Sequence, residues 1–376
     1  MSMQNNNSKP KILFLAQLPP PVHGASQRNL SVSESLIINK AFDLVILPLR
    51  FSKNIKQLGK ASFRKFFLFT KFVFDLINLL FNNKFSFAYY TISVRPIGIL
   101  RDSIIILILK IFKVKLLYHL RNKGVKNYSK NSFLRFVYYW VFKNNKVICL
   151  SKSISNDIIE FIDKEQLFIV NNGIKISNIS VKASKKNETL NFIYLSHLRK
   201  SKGVMEFLQS FKVVSDLGYN ISATVVGDEG DIGFNDIIIF CEINKISDKV
   251  KITGPLYGDE KFKALNEADI FVFPTYYYNE IFPGVILEAM QMGLPIITTS
   301  EGAIPDMIQN NHNGLIVERK DVTSIVNAMK KLIINSEIRN KISSQAKNDF
   351  YKYYTMDIFE SNMLKTFKKM SSYNEL

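Results

Sequence analysis

Glu280 and Glu288 stand with seven residues between them in the segment NEIFPGVILEAMQMGLP, across a turn and the start of a helix. Ile270 to Pro274 is short, apolar and β-favouring, the pattern of a buried strand. Thr275 to Phe282 is polar and aromatic and reads as a loop. Pro283 suits the first position of a helix, where its missing N–H costs nothing. The helix runs on through Met292, Gly293 is a good stop, and Pro295 bars continuation before the next strand, Ile296 to Thr299. This order leaves the amides of Gly284 and Val285 unpaired at the positive end of a helix, where phosphate binds. Gly284 lets a ligand approach the backbone. Glu288 lies one turn, roughly 6 Å, down the same face, and its carboxylate can accept from both hydroxyls of a ribose. Glu280 falls on the loop, on the other side of the phosphates, where a sugar would lie. An E-x7-E pair alone is two solvated acids. The strand, the proline and the Gly-Leu-Pro stop turn the reading toward a nucleoside diphosphate-sugar.

The elements that would position this chemistry alternate along the chain. Strands are expected at Lys11–Leu18, Phe42–Leu49, Phe87–Ile92, Val114–His119, Val147–Leu150 and Leu167–Val170. Helices are expected at Ser26–Ile38, near Asp102–Phe112, and at Phe133–Phe142 and Ile154–Ile162, with a basic, aromatic helical region reaching about Asn83. Gly173–Glu188 is rich in Ser, Lys and Asn and reads as a linker. A second alternating set runs from Leu190 to about Leu332, and Asn348–Lys369 reads as helical. At 376 residues the chain fits two domains, each of about 150–200 residues. The predicted fold class is α/β, with parallel strands and covering helices. The expected domains are 1–178 and 187–355, with a C-terminal helix at about 356–376. Ligands in such folds bind at the C-terminal ends of strands. Lys202, with Gly203, follows the strand Phe192–Ser196 and can neutralise a departing diphosphate. Gly24 follows the first strand, where a glycine lets the loop pass close to a diphosphate or an acceptor. His23 beside it reads as loop, and His312, in an Asn-rich loop, is given no role. His119 ends a strand, with Arg121 and Lys123 behind it; a histidine so placed is a structural group or a site residue.

Composition narrows the class. Hydrophobic residues make up 47% of the chain, enough for real cores. Cys149 and Cys241 each lie in an apolar run and read as buried thiols in a reducing cytoplasm. No secretory signal is read at the N-terminus, and charges interrupt both of the most apolar stretches, so no transmembrane helix is expected. The net charge of +18 is uneven: the first 175 residues carry 27 Lys+Arg against 8 Asp+Glu. Asp75 and Asp102 are the only acids between Arg50 and Lys146, where phenylalanine and leucine are interleaved with the basic residues. Such a surface suits anionic lipid headgroups. A solvated basic face and nucleic acid are the competing readings, the latter without any supporting motif.

The block EIFPGVILEAMQMGLPIITTSEGAIPDMI followed by NGLIV resembles the donor-binding signature of glycosyltransferase family 4, retaining enzymes of the GT-B fold. KILFLAQLPPPVHGAS, VICLSKSISNDI, FIVNNGI, NFIYLSHLRKSKGVMEFLQSF, ATVVGDEG and VKITGPLYGDEKFKALNEADIFVFP extend the likeness. It is strong over 191–317, patchy before Val147 and absent between about Phe51 and Lys113. The resemblance implies two Rossmann-like domains facing across a cleft, a C-terminal tail crossing back to the first, and a retaining transferase of the hexosyl or N-acetylhexosaminyl class. The implied reaction moves a sugar to a glycan or lipid-linked glycan in cell-surface polysaccharide biosynthesis. Glu280 and Lys202, with His119 near the reacting centre, are the implied catalytic residues. Glu288, Gly284, Val285, Gly24, Arg199, Gly227 and Pro255 are the implied donor contacts, Gly227, Gly254 and Pro255 through the base pocket. His197 stands where the family often carries an arginine, and Arg199 is the substitute cation. With no D-x-D motif, neither metal nor cofactor is expected. The expected partners are the nucleotide-sugar, its acceptor and an anionic membrane surface, with no nucleic acid, and the expected location is the cytoplasmic, inner face of the cell membrane. The rivals are a nucleotide-sugar epimerase or hydrolase on the same fold, and a non-catalytic basic protein that binds membranes.

Overall fold

The computed structural model describes residues 9–21, 24–50, 63–179 and 189–372. The chain divides into two compact units, one of residues 1–172 with 359–376, the other of 173–358. His23 and positions 180–188 of the expected linker lie outside the described residues.

The first unit runs β1 (Lys11–Leu15), α1 (Gly24–Glu34), α2 (Leu36–Ala41), β2 (Asp43–Ile46), α3 (Phe63–Asn82), β3 (Phe87–Tyr90), α4 (Pro96–Ile111), β4 (Leu116–His119), α5 (Val125–Tyr128), α6 (Ser132–Phe142), β5 (Lys146–Cys149), α7 (Lys152–Ser155) and β6 (Leu167–Ile169). Its six strands are parallel, in the order β2-β1-β3-β4-β5-β6. Successive crossovers from β2 to β5 step in one direction, so right-handed connections put α3, α4 and α6 on one face of the sheet. The core agrees: Phe72, Leu76 and Leu80 of α3, Ile105 and Leu109 of α4 and Val141 of α6 join Leu13, Ala88 and Tyr90 in one buried cluster. The β3 alternation sends Phe87 and Tyr89 the other way, where both rings meet Phe367 at 5.4 Å.

Three helices differ from expectation. The helix at Ser26–Ile38 is broken at Ser35, whose backbone is extended and whose hydroxyl donates to Glu360 at 2.5 Å. Helix α4 starts at Pro96 rather than near Asp102, because a proline in the first turn suits a helix start. The stretch Ile154–Ile162 keeps only one helical turn, α7. Asp157 turns away from it to accept from the amides of Gly124, Val125 and Lys126 at 2.7, 2.9 and 3.1 Å, closing the start of α5.

The second unit runs β7 (Leu190–Leu195), α8 (Val204–Asp216), β8 (Ile221–Val226), α9 (Phe234–Ile243), β9 (Val250–Gly254), α10 (Gly258–Glu267), β10 (Ile270–Phe273), α11 (Gly284–Gln291), β11 (Ile296–Thr298), α12 (Ile304–Met307), β12 (Leu315–Ile316), α13 (Val322–Ile334) and α14 (Ser336–Tyr353). The expected helical tail is two helices, α14 and α15 (Met356–Ser372), broken where Ile174 and Met356 exchange backbone hydrogen bonds with Tyr354 and Ile174. The strand order is β12-β11-β10-β7-β8-β9, all parallel. Read from β9 this is the doubly wound order, and it reverses between β7 and β10. A crevice therefore opens beyond the C-terminal ends of those two strands.

Candidate functional site

Lys202 and Glu280 meet at this reversal point. After β7 the chain passes through Leu198 and Arg199 into a short 3-10 turn, Lys200–Lys202, which ends at Gly203. Gly203 has φ +81°, and a Cβ there would lie 2.4 Å from the carbonyl oxygen of Pro274 at the end of β10. Only glycine allows the two strand ends this approach. The Ser201 carbonyl then accepts from Tyr276 N–H at 2.8 Å and from the Thr275 hydroxyl at 3.3 Å. The loops so tied bring Lys202 Nζ to 2.5 Å from Glu280 Oε2, with the Tyr277 ring 4.7 Å from the amine. The Thr275 hydroxyl lies 3.5 Å from the same carboxylate oxygen. Glu280 is buried, and its backbone is held from behind by Gly302 at φ +57°, where a Cβ would lie 2.3 Å from the Glu280 carbonyl oxygen.

Pro283 is not the first helical residue but the cap. Its ψ of 114° is extended, and its carbonyl accepts from Ile286 N–H at 3.2 Å. Gly284 and Val285 are thus the first two helical residues; no side chain caps this end, and a Cβ on Gly284 would meet only open space. At the other end Leu294 N–H bonds to Ala289 O and Gly293 N–H to Met290 O, with Gly293 at φ +68°. This is the Schellman stop expected from the Gly-Leu-Pro signal. Glu288, one turn into α11, accepts from Lys261 Nζ of α10 at 2.6 Å.

Each acid of the candidate site is therefore already neutralised by a lysine. An ammonium has three donors, so Lys202 can hold Glu280 with one and still offer others to an anion. The sequence offers Lys202 and Glu280 as candidates but does not show that they pair. It gives no sign of Lys261, because nothing marks that lysine among 50 Lys+Arg.

The remaining second-unit positions lie along the same row of strand ends. Gly227, after β8, has no room for a Cβ, which would fall 1.8 Å from Ser196 O, and its N–H donates to Gly254 O at 3.1 Å. Pro255 is exposed just past β9. Arg199 is exposed and runs beside Gly230, where a Cβ would lie 2.7 Å from Arg199 Cγ. From β10 to β9 the strand ends span three strand spacings, roughly 14 Å, room for an elongated ligand. Gly24 and His119 belong to the first unit. Gly24 is the exposed first residue of α1, with open space around it. His119 is fully buried at the end of β4, its Nδ1 2.7 Å from the Tyr89 hydroxyl. Its Nε2 has no hydrogen-bond partner among the described residues. Burial, helped by the positive Arg121, holds its pKa well below the usual histidine value, so the ring is neutral at pH 7. It faces no solvent in this conformation.

Residues 175–349 match the family described as glycosyl transferases group 1. The capsular polysaccharide biosynthesis glycosyltransferase CapM of Staphylococcus aureus is 28% identical over 275 residues, which cover 66% of this chain and 70% of that protein. Among solved structures, a glycosyltransferase of Rickettsia africae superposes with a TM-score of 0.75 at 16% identity, covering 96% of this chain and 98% of that one. HepE of Anabaena, solved with UDP, superposes at 0.72 and 16% identity, over 96% of this chain and 100% of that one. These likenesses establish the two-sheet arrangement as the GT-B fold.

Proposed function

We propose, for a chain whose residues 175–349 match the group 1 glycosyl transferases, the transfer of a sugar from a nucleoside diphosphate-sugar to a hydroxyl of a glycan or lipid-linked glycan, with retention at the anomeric carbon. The observation that carries this reading is the meeting of Lys202 and Glu280 at the point where the strand order reverses, beside the uncapped start of α11. Glu288 takes the ribose hydroxyls. The diphosphate lies on the amides of Gly284 and Val285 and on Lys202, and Glu280 orients the hydroxyls of the sugar. Gly227 and Pro255 shape the base pocket, and Arg199 supplies a further cation. Gly24 and His119 of the first unit are proposed contacts for the diphosphate or acceptor, His119 only in a conformation that uncovers its ring.

As the sugar–phosphate bond opens, charge grows on the departing diphosphate, where fixed donors lower the barrier most. The acceptor hydroxyl attacks on the face the diphosphate leaves, and its proton passes to the departing phosphate oxygen. The cationic work falls to Lys202 and the helix amides rather than to a divalent ion, so activity persists in EDTA. The capsular polysaccharide role named for the Staphylococcus relative and the UDP bound by HepE support surface-polysaccharide synthesis and make UDP-sugars the first donors to try. With a lipid-linked acceptor the reaction takes place at the cytoplasmic face of the cell membrane.

The test is nucleotide release from candidate donors, with and without acceptor-bearing membranes, and analysis of the sugar product. A new glycoside with the donor's anomeric configuration is expected. Free sugar or an epimerised nucleotide-sugar as the sole product would replace this reading with that of a hydrolase or epimerase.

A further inference from the structure

The outer side of the first unit's helical layer is apolar where a water-facing layer should be polar. In α3, Phe67, Phe74 and Phe81 recur every seven residues and are 72–76% exposed. They point opposite to Phe72, Leu76 and Leu80, which pack on the sheet. Helix α4 repeats the arrangement: Ile97, Ile104 and Ile111 are exposed at the same spacing, opposite the buried Ile99, Ile106 and Leu109. On α6, Phe133 and Phe136 are exposed, with Val137 and Val141 inward. The three helices share one layer, so these stripes form one sheet-like surface. Phe81 meets Phe112 at 5.0 Å across α3 and α4, and Lys110 joins α4 to α6 through the Trp140 carbonyl at 2.7 Å. A helix that is apolar all round has a second apolar neighbour, and contiguous exposed patches of this kind mark interaction sites.

We infer that this face is a docking surface for an anionic lipid bilayer, with the helices lying in the plane of the interface. Charge chooses lipid over a second copy of the chain. In a parallel sheet the loops that leave the helices all fall on one edge, and there Lys84, Lys113 and Lys143 are exposed, each just past its helix. Lys71 is exposed beside the phenylalanine stripe, and Arg95, Lys126 and Lys130 are exposed at the opposite edge. An apolar plane rimmed by cations matches acyl chains below and phosphate headgroups around. Two such faces brought together would oppose cation to cation. No helix among the described residues is long and apolar enough to cross a membrane, so the contact is with the interface.

The inference is independent of the donor reading, and nucleotide binding measured without vesicles reports on that reading alone. The experiment is flotation of the full chain with vesicles of phosphatidylcholine alone or with about 30% phosphatidylglycerol. Binding is expected only to the anionic vesicles, to fall about 10-fold or more in Phe74→Glu/Ile104→Glu, and to weaken between about 0.1 and 0.5 M salt. An unchanged melting temperature and nucleotide affinity in that variant show that it is folded. A polarity-sensitive dye on Phe74→Cys supplies a readout that needs no disruptive change, since Cys149 and Cys241 are buried. Its emission shifts to the blue with anionic vesicles, while the same dye on Ile243→Cys, exposed in the second unit, does not respond. Equal binding to neutral vesicles, a silent dye at position 74, or a dimer that the double substitution abolishes in the absence of vesicle binding would each overturn the proposal.

Discussion

Lys202 and Glu280 form a part-buried ion pair, and this makes single substitutions misleading. Removing Lys202 leaves a buried carboxylate without a counter-charge, so Lys202→Met is expected to cost about 3 kcal/mol of stability as well as activity. Lys202→Met with Glu280→Gln should recover much of that stability in denaturant melts while staying inactive. Recovery of activity with stability would reduce the pair to a structural role. Glu288→Ala removes hydrogen bonds to a charged acceptor, each worth about 1.5–3 kcal/mol, so nucleotide affinity should fall about 10- to 100-fold by calorimetry. His119 gives a pH signature. Its folded pKa is depressed, so below about 6.5 the unfolded chain binds the proton more readily than the folded one. Stability is full above that pH and is lost as pH falls toward 5, and His119→Gln should flatten the slope. Residues on the chain's punctuation, such as Lys202 after a strand and Glu288 after a proline-capped turn, were legible in the sequence. Lys261 was not, because its partner lies 27 positions away with no local pattern to mark it.

At the scale of elements, the site depends on glycines that fix how loops meet. Gly302→Ala adds a Cβ 2.3 Å from the Glu280 carbonyl at a positive φ. It should move Glu280 and lower turnover with little change at the ribose site, visible as a fall in kcat with nucleotide affinity retained. A parallel loss of both would show that Gly302 holds the unit together rather than the loop. The Gly293 stop and the strand Ile270–Phe273 were readable because local signals and tertiary packing agree there. Helix boundaries at Ser35 and after Ser155 were not. In each case a side chain at the break is held by a partner distant in sequence, Glu360 for Ser35 and the start of α5 for Asp157, which no local pattern marks.

At the scale of the whole molecule, two units with separate sheets and cores should report separately on what they bind. A nucleotide at 100 times its Kd stabilises its own unit by about 2.7 kcal/mol, so calorimetry should show one transition rising with UDP or GDP and the other fixed. Phe367→Ala, which removes a ring packed on Phe42, Phe87 and Tyr89, should cost about 3–5 kcal/mol and lower the nucleotide-insensitive transition. The two-unit plan was legible from the alternation of strands and helices and from the polar break after Gly173. The apolar face of α3, α4 and α6 was legible only as composition until right-handed crossovers put all three helices on one side. The central claim is that one unit binds an activated sugar where its strand order reverses. A crystal structure with a nucleoside diphosphate-sugar tests it most directly. The diphosphate is expected on the Gly284 and Val285 amides, the ribose hydroxyls on Glu288, and the sugar beside Glu280 and Lys202. A donor bound elsewhere, or Glu288 turned away from the ribose, would contradict it.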